Sequence, residues 1–146
     1  HTIGLRFFTV YGPWGRPDMA LFDFTKNILA EKPITVYNYG NMKRDFTYVE
    51  DILDGIECVL NNDVDAGEIF NIGRGAPVQL MDFISEIEKN TGKTAIKLMA
   101  PQHPADTLET FSNTSKLETL GYHPSTNIED GIRNFYEWYM EYKSGR

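Results

Sequence analysis

Apolar positions recur along the chain with two periods, and each change of period marks out an element. The run Gly4-Leu5-Arg6-Phe7-Phe8-Thr9-Val10-Tyr11 is β-branched and aromatic and stops at Gly12-Pro13, which predicts a strand. Leu5, Phe7 and Phe8 show little alternation, as in a strand covered on both faces in a parallel sheet. Leu21, Phe24, Ile28 and Leu29 form a helical stripe over residues 19–31, and Pro33 ends it. A short strand over 34–37 follows. Thr47-Tyr48-Val49-Glu50 reads as a capping box, and the helix behind it aligns Val49, Ile52, Ile56 and Val59 or Leu60. Residues 68–72 read as a second core strand, closed by Gly73-Arg74-Gly75. Leu80, Phe83, Ile84 and Ile87 mark a helix stopped by Gly92, and residues 95–99 a strand. A polar loop over 101–106 and a short helix over 114–120, ending at Gly121, come next. The last helix spans 128–142, capped by Asn127 with Asp130 three residues on. The pattern is an α/β fold with short strands between helices, a single unit over 1–146 without repeats or linkers.

Composition narrows the classes of function. At 146 residues, 41% hydrophobic and 24% charged, the chain makes one globular unit with a real core. A net charge of −7 argues against nucleic acid or an anionic membrane as partner. A small anion stays possible, because a few arginines in a pocket bind a diphosphate on an acidic protein. The single cysteine, Cys58, forms no internal disulfide, and a reducing cytoplasm is the default. No apolar run approaches the roughly 20 residues of a membrane span. His1-Thr2-Ile3-Gly4 opens directly onto a core strand without a signal peptide, which predicts a further domain upstream.

Three stretches are candidates for chemistry. Residues 6–18 carry a buried-type strand into a loop rich in glycine and proline, where ligands collect in open α/β sheets; a structural turn explains the segment equally well. In Asn41-Met42-Lys43-Arg44-Asp45-Phe46-Thr47-Tyr48 two cations precede a helix N-terminus, which favours anions. A solvated pair between Arg44 and Asp45 is the alternative. Gln102-His103-Pro104-Ala105-Asp106 offers a His and an Asp to sugar hydroxyls, or is a plain surface loop. Two YxxxK strings match the spacing of the tyrosine–lysine pair of short-chain dehydrogenases, in which the lysine lowers the tyrosine pKa for proton transfer. Tyr39 to Lys43 is broken by Gly-Asn turn chemistry, and Tyr139 belongs to the apolar stripe of the last helix. Gly73-Arg74-Gly75 has the start of a dinucleotide fingerprint, but position 78 is Val and no acidic residue follows at the right distance. The histidines His1, His103 and His123 have no metal-ligand spacing, so no metal is expected.

Taken together, these strings have a specific likeness. Residues 5–20 and 36–48 closely resemble UDP-glucuronate 4-epimerases of the extended short-chain dehydrogenase/reductase family. Phe70-Asn71-Ile72-Gly73, Asp106-Thr107-Leu108-Glu109-Thr110 and the aromatic C-terminal helix are similar to the same family, so the likeness covers essentially the whole chain. It implies the C-terminal, substrate-binding portion of a Rossmann-type enzyme. The N-terminal NAD-binding domain, with GxxGxxG and the catalytic YxxxK, would lie outside these residues, leaving no catalytic residue within them.

The resemblance also assigns roles. The whole enzyme would oxidise a UDP-hexuronic acid at C4 with bound NAD and return hydride to the other face of a 4-keto intermediate. Tyr11 and Pro13 would lie beside the nicotinamide. Thr9 stands where galactose-type epimerases usually have Asn and suits a hexuronic carboxylate, with Arg16 near the carboxylate or phosphates. Met19, Ala20 and Leu21, with Thr35, Val36 and Tyr37, would line the uracil site, partly through backbone. Arg44 would bind the diphosphate and Asp106 a ribose hydroxyl. His103 stands where many relatives carry a phosphate-binding Arg and is the one departure. The full-length enzyme is expected to be a homodimer, and this chain alone to be inactive, to bind NAD poorly and to self-associate through the edge of its first strand. A UDP-glucuronate decarboxylase, a nucleotide-sugar 4,6-dehydratase and a stand-alone binding module are the alternatives.

Overall fold

The computed structural model describes residues 1–102, 104 and 106–145. Strand β1 (Gly4–Phe7) pairs in parallel with β6 (Ile69–Ile72), in register from Gly4 opposite Ile69 to Phe7 opposite Ile72. Strand β2 (Val10–Tyr11) pairs in parallel with β5 (Thr47–Tyr48). The expected single strand over 4–11 is therefore two, because the chain changes partner midway. The Phe8 amide donates to Ile72 O at 3.0 Å, and the Thr9 carbonyl accepts from the Thr47 amide at 2.9 Å. Nor is β1 covered on both faces among the described residues, since Phe7 stays half exposed.

Strand β3 (Ile34–Val36) pairs in parallel with β8 (Lys97–Met99), and β4 (Lys43–Arg44) antiparallel with β7 (Val78–Gln79). The last pair is absent from the sequence reading. Two residues are too few to show an alternating period.

The helices follow their stripes closely. Helix α1 (Ala20–Leu29) buries Leu21, Phe24 and Ile28, and α3 (Leu80–Thr91) buries Leu80, Phe83, Ile84 and Ile87. Helix α5 (Ile128–Ser144) buries Ile128, Ile132, Phe135 and Tyr139. Helix α3 packs between α1 and α5, and each large apolar side chain withdrawn from water there contributes roughly 1.5–3 kcal/mol. Asn127 caps α5 as expected, its Oδ1 accepting from the Asp130 amide at 2.8 Å. Gly92 ends α3 with a left-handed φ of 65°, which glycine adopts at no steric cost.

Helix α2 (Val49–Leu60) departs from expectation at its start. Its cap position is Tyr48 and no side chain caps it. Thr47 lies within β5 instead, and its hydroxyl accepts from the Arg74 amide at 3.0 Å. A tertiary donor has taken the oxygen that the capping box would use. Helix α2 packs Ile52 and Val59 against Phe70 and Ile72 of β6 and against Leu117 on the short helix α4 (Ser115–Glu118), a second cluster separate from the three-helix core. No helix among the described residues is long and apolar enough to cross a membrane.

Candidate functional site

A cleft of about 530 Å³ opens where β1 and β2 run out into the loop before α1. Thr9, Pro13, Arg16 and Met19 line it. Ala20 and Leu21 stand behind it at the start of α1, with Leu21 buried. Arg16 is exposed, its Nη2 bound to Asp18 Oδ2 at 3.0 Å. Trp14 sits between Pro13 and Arg16 with φ of 64° and 79% of its surface exposed. That φ is a genuine outlier for a bulky residue and marks a loop held by its surroundings. Trp14 rests on Trp138 of α5, ring centroids 5.3 Å apart, and Trp138 stacks on Tyr142.

Tyr11 contributes to the cleft differently from the expectation. Its ring is buried in the core, edge-on to Phe46, Tyr48 and Phe83. Burial pushes the phenol well above its ordinary pKa, and nearby Arg74 only partly offsets this. The hydroxyl donates weakly to Asn127 O at 3.4 Å and lies against Gly131, where a Cβ would stand 2.1 Å from it. Tyr11 therefore joins β2 to α5 through the core.

The second group assembles on the strip where residues 97–100 run past β3 and residues 106–110 past β4. The Val36 carbonyl accepts from the Ala100 amide at 3.0 Å, and the Tyr39 amide donates to Ala100 O at 3.2 Å. Further on, the Lys43 amide donates to Leu108 O and the Lys43 carbonyl accepts from the Thr110 amide. Two backbone ladders thus bring Thr35, Val36 and Tyr37 onto the same strip as Arg44 and Asp106. The Arg44 guanidinium forms an ion pair with Asp106 across 62 residues, and its Nη1 donates to Lys43 O at 2.8 Å. Arg44 and Asp45 do not pair. Arg44 closes β4 and faces Asp106, while Asp45, just beyond the strand's end, is buried. A depression lined by Arg6, Phe7, Phe8, Thr9, Asn71 and Thr110 runs between the cleft and this strip. His103 lies outside the described residues, so its phosphate-side role has no structural counterpart here.

Asp45 is the residue that sequence reasoning undervalued. It is wholly buried. Its Oδ2 accepts from the Ser112 amide at 2.8 Å, the Ser112 hydroxyl at 2.5 Å and the Gly75 amide at 3.1 Å, and its Oδ1 from the Arg74 amide at 3.2 Å. Gly73 permits this closeness, since a Cβ there would stand 2.3 Å from Ser112 Oγ. These amides decide how the chain could meet NAD. The turn at 73–75 has the composition of a pyrophosphate loop, but its donors are already bound to Asp45, Thr47 and Ser112. It does not fit a dinucleotide pyrophosphate. The nearest sequence signal for the network was the Gly-Arg-Gly string itself.

Neither YxxxK string forms a catalytic pair. Tyr39 has φ of 52° in a turn that leads into β4, and Tyr139 is buried against Phe22 and Phe135. Among the described residues no group of His, Cys, Asp and Glu is arranged to hold a metal.

With this geometry in hand, likeness to known proteins is informative. The profile of the NAD dependent epimerase/dehydratase family matches residues 1–73, and the chain belongs to that family. An uncharacterized protein of Methanocaldococcus jannaschii is 54% identical over 97% of this chain and 43% of its own length. A probable UDP-glucuronate 4-epimerase of Rhizobium meliloti is 41% identical over 94% of this chain and 46% of its own. The UDP-glucuronic acid 4-epimerase of Bacillus cereus, solved with UDP-glucuronic acid and NAD, superposes with a TM-score of 0.88 at 37% identity, over 94% of this chain and 45% of that one. The chain spans less than half the length of these relatives.

Proposed function

We propose that this chain is the nucleotide-sugar-binding side of an NAD-dependent UDP-glucuronate 4-epimerase. The dinucleotide-binding domain and the catalytic tyrosine then belong to a portion preceding these residues. The observation that carries the reading is the convergence of Arg44, Asp106 and the Val36–Tyr37 backbone on one strip, joined through Thr9 to a cleft bearing Arg16. A guanidinium beside a carboxylate suits a diphosphate next to a ribose, the first binding anionic oxygens and the second accepting from hydroxyls. Thr9 and Arg16, at the other end, suit the carboxylate of a hexuronic acid. The high likeness to a structure holding UDP-glucuronic acid supports the same choice.

In this reading NAD supplies the hydride chemistry, and the residues described here bind and orient the sugar. Pro13 and the Tyr11 backbone form part of a wall near the reacting ring. The buried Tyr11 phenol keeps its proton and directs it to the Asn127 carbonyl within the core. Calorimetric titration of the protein at its natural length should rank UDP-glucuronate above UDP-galactose, with UDP retaining most of the affinity. Equal affinity for both sugars would remove the hexuronate assignment, and no binding of UDP would remove the site. The 146 residues alone should give no turnover of UDP-glucuronate; product above background would refute the division of labour.

A further inference from the structure

The Gly73-Arg74-Gly75 string has no part in the proposed binding site, yet its amides converge as in a turn that cradles a phosphate. The anion they hold is the protein's own. We infer that Asp45 is a positioning residue for the diphosphate clamp, its buried carboxylate fixing the backbone from which Arg44 and Asp106 both project. The inference rests on Arg44 being the diphosphate contact.

Both arms of the clamp hang from this carboxylate. On one side, Asp45 directly follows Arg44, and its own amide donates to Thr110 Oγ1 at 3.1 Å. On the other, Ser112 binds Asp45 through both its amide and its hydroxyl, which ends the strip carrying Asp106. Between them, Lys43 is laddered to Leu108 and Thr110. Four donors from three residues meet two oxygens, and a buried carboxylate needs such satisfaction to remain in place. An amide is a poor replacement. Whichever way an Asn side chain is turned, its NH2 faces a donor, either the Arg74 amide or the group from Ser112 and Gly75.

The test is a double-mutant cycle on the protein at its natural length, read by calorimetric affinity for UDP and for uridine. Arg44→Ala should weaken UDP about tenfold or more and leave uridine nearly unchanged. Asp45→Asn should weaken UDP several-fold and uridine by less, through the ribose contact of Asp106. The double variant should lose clearly less UDP affinity than the product of the two single losses, because Asp45 acts largely through Arg44. Multiplying losses, equal losses for UDP and uridine, or unchanged UDP affinity in Asp45→Asn each overturn the inference. If Arg44→Ala leaves UDP binding intact, the clamp assignment itself fails, a result separate from these. Should Asp45→Asn not fold, Ser112→Ala removes one donor to Asp45 and one of the two acceptors of the Gly75 amide; a smaller loss, greater for UDP than for uridine and reduced in the Arg44→Ala background, supports the inference, and full UDP affinity overturns it.

Discussion

Two glycine-bearing turns follow strands of the parallel pair β1–β6 and its extension, and they treat their polar groups in opposite ways. At 73–75 the amides of Arg74 and Gly75 point inward and are bonded to Asp45, Thr47 and Ser112. At 12–18 the polar group of interest, Arg16, stands in solvent with Asp18 beside it. An exposed ion pair of that kind contributes little to stability and exchanges its partner cheaply. The buried network cannot exchange anything without leaving donors unpaired. Sequence alone discounted the turn at 73–75 as a dinucleotide loop and kept 12–18 within a candidate stretch. The turn that has satisfied its own amides is tied into the fold, whereas the open one keeps its charged side chain in solvent.

The comparison breaks most sharply at Asp45. Asp45→Ala leaves the buried Ser112 amide and hydroxyl without their acceptor and should cost roughly 3 kcal/mol or more, read from the urea midpoint at neutral pH. A midpoint near that of the parent would mean water satisfies those donors, and the two turns would be alike. A smaller effect separates the glycines. Gly73→Ala drives a Cβ to 2.3 Å from Ser112 Oγ, whereas the nearest atom to a Cβ at Gly15 is Gly12 O at 3.1 Å. The first should cost about 1–3 kcal/mol by overpacking and the second less; reversed order in thermal unfolding would contradict the contrast. Smallest in stability is Arg16→Ala, within about 0.5 kcal/mol of the parent. Its expected signature is functional: the preference for UDP-glucuronate over UDP-galactose falls while affinity for UDP persists. A large drop in melting temperature would instead make Arg16 part of the fold.

Helices were legible because their stripes are local. Leu21, Phe24 and Ile28 announce α1, and Asn127 with Asp130 announces the start of α5, from spacings of three or four residues. What the sequence hid depends on partners far along the chain. The run at 4–11 looks continuous, and only its pairing with β6 and then β5 divides it. Thr47 looks like a cap until the Arg74 amide, 27 residues away, claims its hydroxyl. Arg44 shows the same limit within the site. The neighbouring acid in sequence is Asp45, but buried donors from Arg74, Gly75 and Ser112 hold it, and the true partner lies 62 residues on. The resemblance singled out residues 5–20 and 36–48, whereas the buried acceptor at Asp45 left no local pattern to recognise.

The pair of indoles at the mouth of the cleft has a practical consequence. The chain contains two tryptophans, Trp14 and Trp138, and their rings lie in contact. One belongs to the loop bearing Arg16, the other to the last helix, so all indole emission arises from the joint between them. Displacement of that loop by a ligand would register as a change in fluorescence and in the coupled near-ultraviolet dichroism of the two rings, without any label attached to the protein.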